Sequence, residues 1–339
     1  MKAGIIGFPG SGRDTVFRAL TSLPAQSGLN RERVGEALVD DPRLNWLSDL
    51  FKPKKHTPAR VDLVSVRPQA QNAKEALKLS LDKVRECDVL LIVARNFPFP
   101  GSEDPNPLAE AREIFSEFLV SDYVTVEKRL ERLAEEKKRG KKNDPAELEL
   151  LNLAKDMLEN DVPLKNEKRV VEAPFLRGFG FFSAKPALVI ANGPDSGGPL
   201  VESAGPLRCL NLRGNLEAEI GRLEPEEAKE FLADYGLGEP AGARVVKTIF
   251  DMTDLISFFT VGEDECRAWT LSRGEDALAA AGKIHSDIKK GFIRAEVVSF
   301  ADFEDCGGFA EAKKRGLFRL EGKTYVVADG DIVHFRFNV

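Results

Sequence analysis

One short segment near the beginning of the chain restricts its possible folds most strongly. Residues 2–7 are mostly apolar and predict a buried strand, and residues 15–22 have the apolar spacing of a helix. The segment GFPGSGRDT, residues 7–15, connects them. A glycine-rich turn from a buried strand into a helix is typical of a sheet covered by helices, and it directs backbone amides of the helix N-terminus into the turn.

This turn matches the GxxxxG part of a phosphate-binding loop, from Gly7 to Gly12. Glycines in such a loop allow backbone N–H groups to surround phosphate oxygens. The next two residues depart from the pattern, because Arg13 and Asp14 stand where lysine and serine or threonine are expected. The candidate phosphate-binding residues are Gly7, Pro9, Gly10, Ser11, Gly12, Arg13, Asp14 and Thr15.

The two departures change the chemistry of the turn. Arg13 keeps a cation, but its planar guanidinium is longer and bulkier than a lysine ammonium. The carboxylate of Asp14, at ~4 Å from a phosphate charge and an effective dielectric constant of ~20, would repel it by about 4 kcal/mol. A bridging magnesium ion or mutual neutralisation of Arg13 and Asp14 would remove this repulsion. A nucleotide site and a merely structural turn therefore both remain open.

Further apolar segments predict strands over residues 61–66, 89–94, 187–191 and 207–212, with a helix over residues 73–86. This alternation predicts an α/β fold with a mostly parallel sheet.

A helical segment interrupts the alternation over residues 108–158, with a polar tip over residues 137–144. The apolar residues of its first half recur at steps of three and four, which is heptad spacing. We expect an antiparallel helical hairpin that projects from the sheet domain. A further helix is predicted over residues 216–237.

The C-terminal part, from residue 266 to residue 339, predicts a small mixed domain of β-grasp size. Strands are expected over residues 267–272, 292–300, 324–327 and 332–337, with one helix over residues 277–289. Basic residues lie beside an aromatic residue here, which is a pattern that can follow an RNA backbone and stack bases. The alternative is a solvated helix face beside a core aromatic residue. The candidate RNA or partner residues are Lys289, Lys290, Phe292 and Arg294.

Composition excludes several classes of protein. The net charge of -6 argues against a protein that is basic throughout, and no apolar run reaches the ~18–20 residues of a membrane span. The chain begins without the signature of a signal peptide, and its cysteines lie far apart without a CxxC pair. We therefore expect a cytoplasmic protein with reduced thiols, no zinc site and no membrane partner. The cysteines are Cys87, Cys209, Cys266 and Cys306.

The whole chain resembles the YchF/Obg-like ATPase family of translation-factor-class P-loop GTPases. The similarity lies in KAGIIGFPGSG and TVFRALTSLPA near the beginning, in the position of the helical hairpin, and most specifically in IHSDIKKGFIRAEV and LEGKTYVVADGDIVHFRFNV near the end. It implies a G domain in two parts (residues 1–106 and 163–255), a helical coiled-coil insertion (residues 107–162) and a β-grasp TGS domain (residues 256–339).

Within this resemblance, several functional positions differ from the family. Arg13 and Asp14 replace its lysine and serine, and the segment near Leu29 lacks the magnesium-binding threonine of its first switch. Asp62 falls at the aspartate of DxxG, with serine in place of the glycine. The second switch, residues 66–76, contains no glycine and favours a fixed helix. The candidate metal ligands are Asp14 and Asp62.

The base-reading motif NxxD is matched by Asn192 and Asp195, and Gly214 lies in the loop expected to contact the base. An aspartate suits guanine, whereas the family typically has glutamate and favours adenine, so GTP and ATP both remain candidates. Glycine replaces the lysine of this motif, and an ordinary β-turn would also explain NGPD.

The resemblance implies a GTP- or ATP-binding protein of translation that contacts the ribosome or RNA through its TGS domain and helical arm. The substitutions predict weak or altered nucleotide binding, impaired hydrolysis and little use of Mg²⁺, and leave open whether the protein is an enzyme. The alternative is a pseudo-GTPase scaffold that binds no nucleotide and serves RNA or protein interaction.

Overall fold

The computed structural model describes residues 1–23, 32–101, 103–204 and 207–338, which form two separate β-sheets. The first elements along the chain are β1 (Lys2–Ile6), α1 (Arg13–Thr21), β2 (Glu32–Leu38), α2 (Pro42–Phe51), β3 (Lys55–Thr57), β4 (Arg60–Val66), α3 (Ala73–Val84), β5 (Val89–Arg95), α4 (Pro107–Lys138), α5 (Pro145–Glu159), α6 (Lys168–Glu172), β6 (Ala187–Asn192), β7 (Ser203–Ala204) and β8 (Leu207–Leu212). They are followed by α7 (Gly214–Ile220), α8 (Pro225–Asp234), α9 (Ala241–Thr253), β9 (Leu255–Val261), β10 (Glu265–Ser272), α10 (Ala277–Ile284), α11 (Ser286–Lys290), β11 (Phe292–Ser299), α12 (Phe300–Cys306), α13 (Phe309–Lys314), β12 (Arg319–Glu321) and β13 (Asp331–Phe337).

The first sheet has the strand order β2-β4-β1-β5-β6-β8-β7. Its central strands β4, β1, β5, β6 and β8 pair in parallel, and β7 pairs antiparallel to β8. The central strand β5 is buried along almost its whole length, as expected of a parallel strand covered on both faces. The predicted α/β fold with a mostly parallel sheet is confirmed, and the carboxyl ends of these parallel strands meet at one edge.

The helical insertion consists of α4 and α5, which pack against each other and share an apolar core with α6. The side chain of Asp144 caps α5, with Pro145 as the first residue of the helix. Near the tip, Arg129 donates two hydrogen bonds to the carboxylate of Glu147, at 2.7 and 2.9 Å. Within the described residues, no helix has the length and apolarity needed to cross a bilayer.

The second sheet is mixed and has the order β12-β11-β13-β9-β10-β3. The chain divides into two compact units, Met1–Ala37 with Asp62–Val245, and Leu38–Val61 with Val246–Val339. The helix α2 lies in the second unit and contributes Leu44 and Leu47 to its core. The sequence placed residues 38–61 in the G domain. The domain bounds given there stay a prediction.

Three sequence-based elements need correction. The helix expected over residues 216–237 is two helices, because Pro225 begins α8. The helix expected over residues 277–289 is broken at His285, whose side chain caps α11. The strand expected over residues 324–327 is a turn with one isolated bridge at Val326, because the Tyr325 amide donates to the Gly322 carbonyl at 3.2 Å.

In the second unit, Asp329 anchors two segments and gives a test of stability against pH. Its carboxylate accepts from Arg43 Nη1 at 2.8 Å and from the Ser257 amide at 2.9 Å. Burial raises the pKa of Asp329, but the hydrogen bonds from Arg43 and the Ser257 amide, with the positive charges of Arg43 and Arg273, together outweigh burial and hold that pKa below its ordinary value. The contribution to stability is therefore complete above the unfolded-state pKa of about 3.9 and is lost as pH falls through the folded-state pKa.

We expect Asp329→Asn to lower the free energy of unfolding by about 1 kcal/mol at neutral pH, a modest value because the side chain is partly exposed. The difference from the wild type should shrink in acid, as measured by urea unfolding at neutral pH and near the folded-state pKa. The matched control is Asp264→Asn, which removes a fully solvated pair with Lys54 and should change stability little. Equal losses at both pH values would contradict the assignment.

Candidate phosphate loop and its surroundings

The glycine-rich turn connects β1 to α1 and has the backbone of an anion-binding loop. Gly10 and Gly12 adopt φ angles of +88° and +85°, and the Ser11 amide donates to the Phe8 carbonyl at 3.1 Å. Gly12 caps α1 without a side-chain hydrogen bond. The first amides of a helix have no partner within the helix, so those of α1 can bind an anion in the bend.

The interior of the bend has no space for larger residues. A Cβ atom at Gly7 would lie 2.5 Å from the Val93 carbonyl oxygen and 2.6 Å from Ser11 Oγ. Ser11 is 1% exposed, and its hydroxyl has no hydrogen-bond partner among the described residues. A buried hydroxyl without a partner is uncommon, and a ligand in the loop would supply one. Pro9 and Gly10 lie exposed at the tip of the bend.

Asn192 connects the loop to the end of β6 and the start of α7. Its side-chain amide donates to the Ser11 carbonyl at 3.0 Å and accepts from the Gly214 amide at 3.1 Å. A Cβ atom at Gly12 would lie 2.1 Å from Asn192 Nδ2, and one at Gly214 would lie 2.4 Å from Asn192 Oδ1. Asn192 and Gly214, both predicted to bind a base, are therefore connected to the loop backbone by hydrogen bonds that fix its position.

Asp195, the second predicted base reader, is hydrogen-bonded within the protein. One carboxylate oxygen accepts from the Leu216 amide at 3.0 Å and the other from Asn215 Nδ2 at 2.9 Å. A carboxylate can accept about four hydrogen bonds, so a base would share these oxygens with the turn that leads into α7. Thr15 Oγ1 accepts from Arg18 Nη2 at 3.4 Å, within α1 itself.

Arg13 extends into the body of the sheet unit. Its Nη1 donates to the Val66 carbonyl at 3.2 Å, where β4 ends, and to Ser80 Oγ at 3.1 Å on α3. Burial, and then the nearby charge of Arg67, lower the pKa of Arg13 to about 10, so the guanidinium still carries its charge at neutral pH. Mutual neutralisation of Arg13 and Asp14 was one of the two possibilities that the sequence left open, and the structure instead gives each side chain other partners.

The carboxylate of Asp14 pairs with two other arginines. It accepts a hydrogen bond from Arg67, which directly follows β4, and Arg33 Nη1 on β2 lies 3.6 Å from its other oxygen. The guanidinium of Arg33 also stacks over the ring of Phe17, at 4.4 Å from its centroid. Sequence reasoning missed Arg33, Arg67 and Ser80. The available signal was that a carboxylate in a phosphate loop needs a cation, and Arg67 follows the strand next to β1.

The structure contradicts Asp62 as a metal ligand of this loop. Asp62 pairs with Lys2 at the start of β1, whereas the loop follows the other end of that strand. The four residue steps from Asp62 to Val66 span about 13 Å at strand spacing. Asp62 therefore lies too early in β4 to serve as the aspartate of DxxG beside this loop. In the described parts of the chain, no three or more His, Cys, Asp or Glu side chains form a group able to hold a metal ion.

The second switch, residues 66–76, differs from its predicted conformation. Residues 67–72 form no regular helix, and α3 begins only at Ala73, capped by Asn72. The fixed helix expected over residues 66–76 is therefore wrong for most of that segment. Arg67 and Pro68 leave β4 in an irregular conformation. Leu29, near which a switch threonine would be expected, lies outside the described residues.

The C-terminal candidates divide into exposed and buried residues. Lys289 and Lys290 end α11, and Arg294 is exposed on β11. Phe292, in contrast, is 5% exposed and packs edge-on against Phe335 in the core, with ring centroids 5.8 Å apart. The structure does not support Phe292 as a stacking surface for a base, because its ring is needed in the core.

Comparison with known proteins covers the full length of the chain. Residues 255–338 match the family model described as "YchF-GTPase_C: Protein of unknown function (DUF933)". The "Ribosome-binding ATPase YchF" of Bacillus subtilis (strain 168) is 33% identical over 366 residues, with 100% of both chains covered. The protein of the same name from Haemophilus influenzae is 33% identical over 364 residues, covering 100% of this chain and 99% of its own.

A solved structure extends this similarity to the fold. The "Structure of the Schizosaccharomyces pombe YchF GTPase" superposes with a TM-score of 0.83 at 25% sequence identity, and the match covers 99% of this chain and 97% of that one.

Proposed function

Because the chain belongs to the YchF family, we propose that it acts at the ribosome as a nucleotide-binding protein with a chemically altered nucleotide site. The names of its relatives, which describe ribosome-binding ATPases, support the ribosome and the nucleotide. In this proposal the loop binds GTP or ATP weakly and hydrolyses it slowly. The protein works in the cytoplasm, as its sequence predicts.

The observation that carries the proposal is the ion pair between Asp14 and Arg67. Asp14 is the second residue of α1 and replaces the family's serine, whose hydroxyl binds the metal. A dication at ~4 Å from this guanidinium would be repelled by about 8 kcal/mol at an effective dielectric constant of ~20. The carboxylate of Asp14, which would offset this repulsion, is already shared between Arg67 and Arg33. The side chains therefore do not fit a magnesium–triphosphate, and a hydrolysis step that depends on the metal is impaired.

The loop backbone supports the proposed nucleotide binding. The glycine conformations at Gly10 and Gly12, the close packing at Gly7 and the brace from Asn192 all preserve a bend that exposes amides to an anion. Phosphate binding by amides and a helix N-terminus needs no metal. The family's two nucleotides stay alternatives, because the carboxylate of Asp195 is already hydrogen-bonded and favours neither base strongly.

Ribosome contact is proposed for the helical arm and the C-terminal TGS domain. The tip of the arm, residues 137–142, is exposed and basic, and the exposed cations Lys289, Lys290 and Arg294 form a second basic group. Cations of this kind interact with phosphate backbones.

A second candidate function is a scaffold that binds no nucleotide. Arg13 favours it, because the guanidinium that replaces the phosphate-binding lysine already donates to Val66 and Ser80. In that case the sheet unit serves only to hold the helical arm and the C-terminal domain for ribosome contact.

Three measurements on the full chain test the proposal: calorimetric titration with ATP and GTP, release of inorganic phosphate, and co-sedimentation with ribosomes. We expect dissociation constants in the high micromolar to millimolar range, slow release of phosphate and co-sedimentation. Tight, magnesium-dependent binding with rapid hydrolysis would overturn the altered site. Co-sedimentation without any nucleotide binding would favour the scaffold, and failure to co-sediment would reject action at the ribosome.

A further inference from the structure

Three arginines lie close to the phosphate loop. Arg33 and Arg67 pair with the carboxylate of Asp14, and Arg13 donates to the Val66 carbonyl at the end of β4. Arg67 is 48% exposed, so its remaining N–H groups are accessible to a ligand. An arginine has five N–H donors in a planar fork that matches two oxygens of a phosphate.

The carboxylate of Asp14 orients this arginine. By pairing with Arg67 it holds the guanidinium beside the first turn of α1, where the family's serine would hold a metal. A cation is thus already present at the position that a metal would occupy, and it is covalently part of the chain.

The buried hydroxyl of Ser11 is an independent sign of a ligand. It lies inside the bend beside Gly7, is shielded from solvent and has no hydrogen-bond partner in the described part of the chain. A phosphate oxygen in the bend would accept a hydrogen bond from this hydroxyl, together with hydrogen bonds from the loop amides. The amides, this hydroxyl and the arginine would then supply the donors that a phosphate needs.

We propose that Arg67, held by Asp14, takes the place of the divalent metal, so that the loop binds the phosphates of a nucleotide without Mg²⁺. This inference rests on the proposed nucleotide binding at the same loop, and it differs from a merely weakened magnesium site in one measurable respect. A weakened magnesium site loses its ligand when the metal is removed, whereas an arginine-based site does not.

The experiment is a calorimetric titration of the full wild-type chain with ADP and with ATP, in magnesium and in EDTA. We expect the dissociation constants in the two buffers to agree within about threefold. The corresponding difference in binding free energy is smaller than that of a tenfold change in affinity. Magnesium chloride titrated alone into the protein should produce no binding heat.

The variant Arg67→Gln should weaken ADP binding at least about tenfold in both buffers, because a charge-assisted hydrogen bond is lost. Arg67→Lys, which keeps the charge and loses the fork, should recover part of that loss. The matched control is Arg169→Gln, since Arg169 is also a partly exposed, ion-paired arginine but pairs with Glu149 and Glu167 on the helical insertion and beside it. It should bind ADP as the wild type does.

The outcomes distinguish failure of the metal-free site from failure of the proposed nucleotide binding. Binding in magnesium that disappears in EDTA would overturn the metal-free site and leave the proposed nucleotide binding intact. Absence of binding in both buffers would overturn nucleotide binding itself. Equal affinity of Arg67→Gln and the wild type would overturn the role of Arg67, even if binding needs no metal.

Discussion

Replacing Gly12 by alanine is expected to destabilise the protein by about 2–5 kcal/mol and to abolish ligand binding at the loop. The φ angle of +85° costs an L-residue roughly 1–2 kcal/mol. The new Cβ atom would also lie 2.1 Å from Asn192 Nδ2 and displace it from the Ser11 carbonyl. A buried polar group left unsatisfied adds about 1–3 kcal/mol.

Gly10→Ala is the matched control for this prediction. Gly10 has a similar φ angle of +88°, but a Cβ atom there would meet nothing within 4 Å. The control should therefore lose only the backbone term of roughly 1–2 kcal/mol. Urea unfolding measures both variants, and calorimetry with ADP measures the loop. Equal destabilisation of the two variants would show that the contact with Asn192 does not determine the loop conformation.

The second large effect is expected for Asp122→Ala, which should lower the free energy of unfolding by about 4 kcal/mol. Asp122 is fully buried on α4, and its carboxylate accepts from the Phe182 amide at 2.8 Å and the Ser183 amide at 2.7 Å. Alanine leaves two buried amides without acceptors, at about 1–3 kcal/mol each. These bonds fix the helical insertion to the segment that precedes β6.

The control lies on the same helix. Glu135 is exposed and makes a loose pair with Arg139, 3.6 Å away, so Glu135→Ala should change stability by no more than about 0.5 kcal/mol. Thermal and urea unfolding of both variants provide the measurement. A loss below about 1 kcal/mol for Asp122→Ala would indicate that water or another acceptor replaces the carboxylate.

Local pattern was sufficient for most elements of the sheet unit. The apolar run that became β5 and the cap and proline at the start of α5 are signals within a few consecutive residues, and the structure has both. The strand expected over residues 324–327 failed because the turn at Gly322 competes with pairing there, and α2 was not predicted at all.

The sequence by itself determined the glycine bend, most strands of the parallel sheet, and the loss of lysine and serine at Arg13 and Asp14, because each depends on neighbours along the chain. Only the tertiary structure decided which cations neutralise Asp14, which edge of the sheet Asp62 occupies and that the Phe292 ring is buried. Those outcomes depend on strand register and on contacts between residues far apart in sequence, for which a local pattern contains no information.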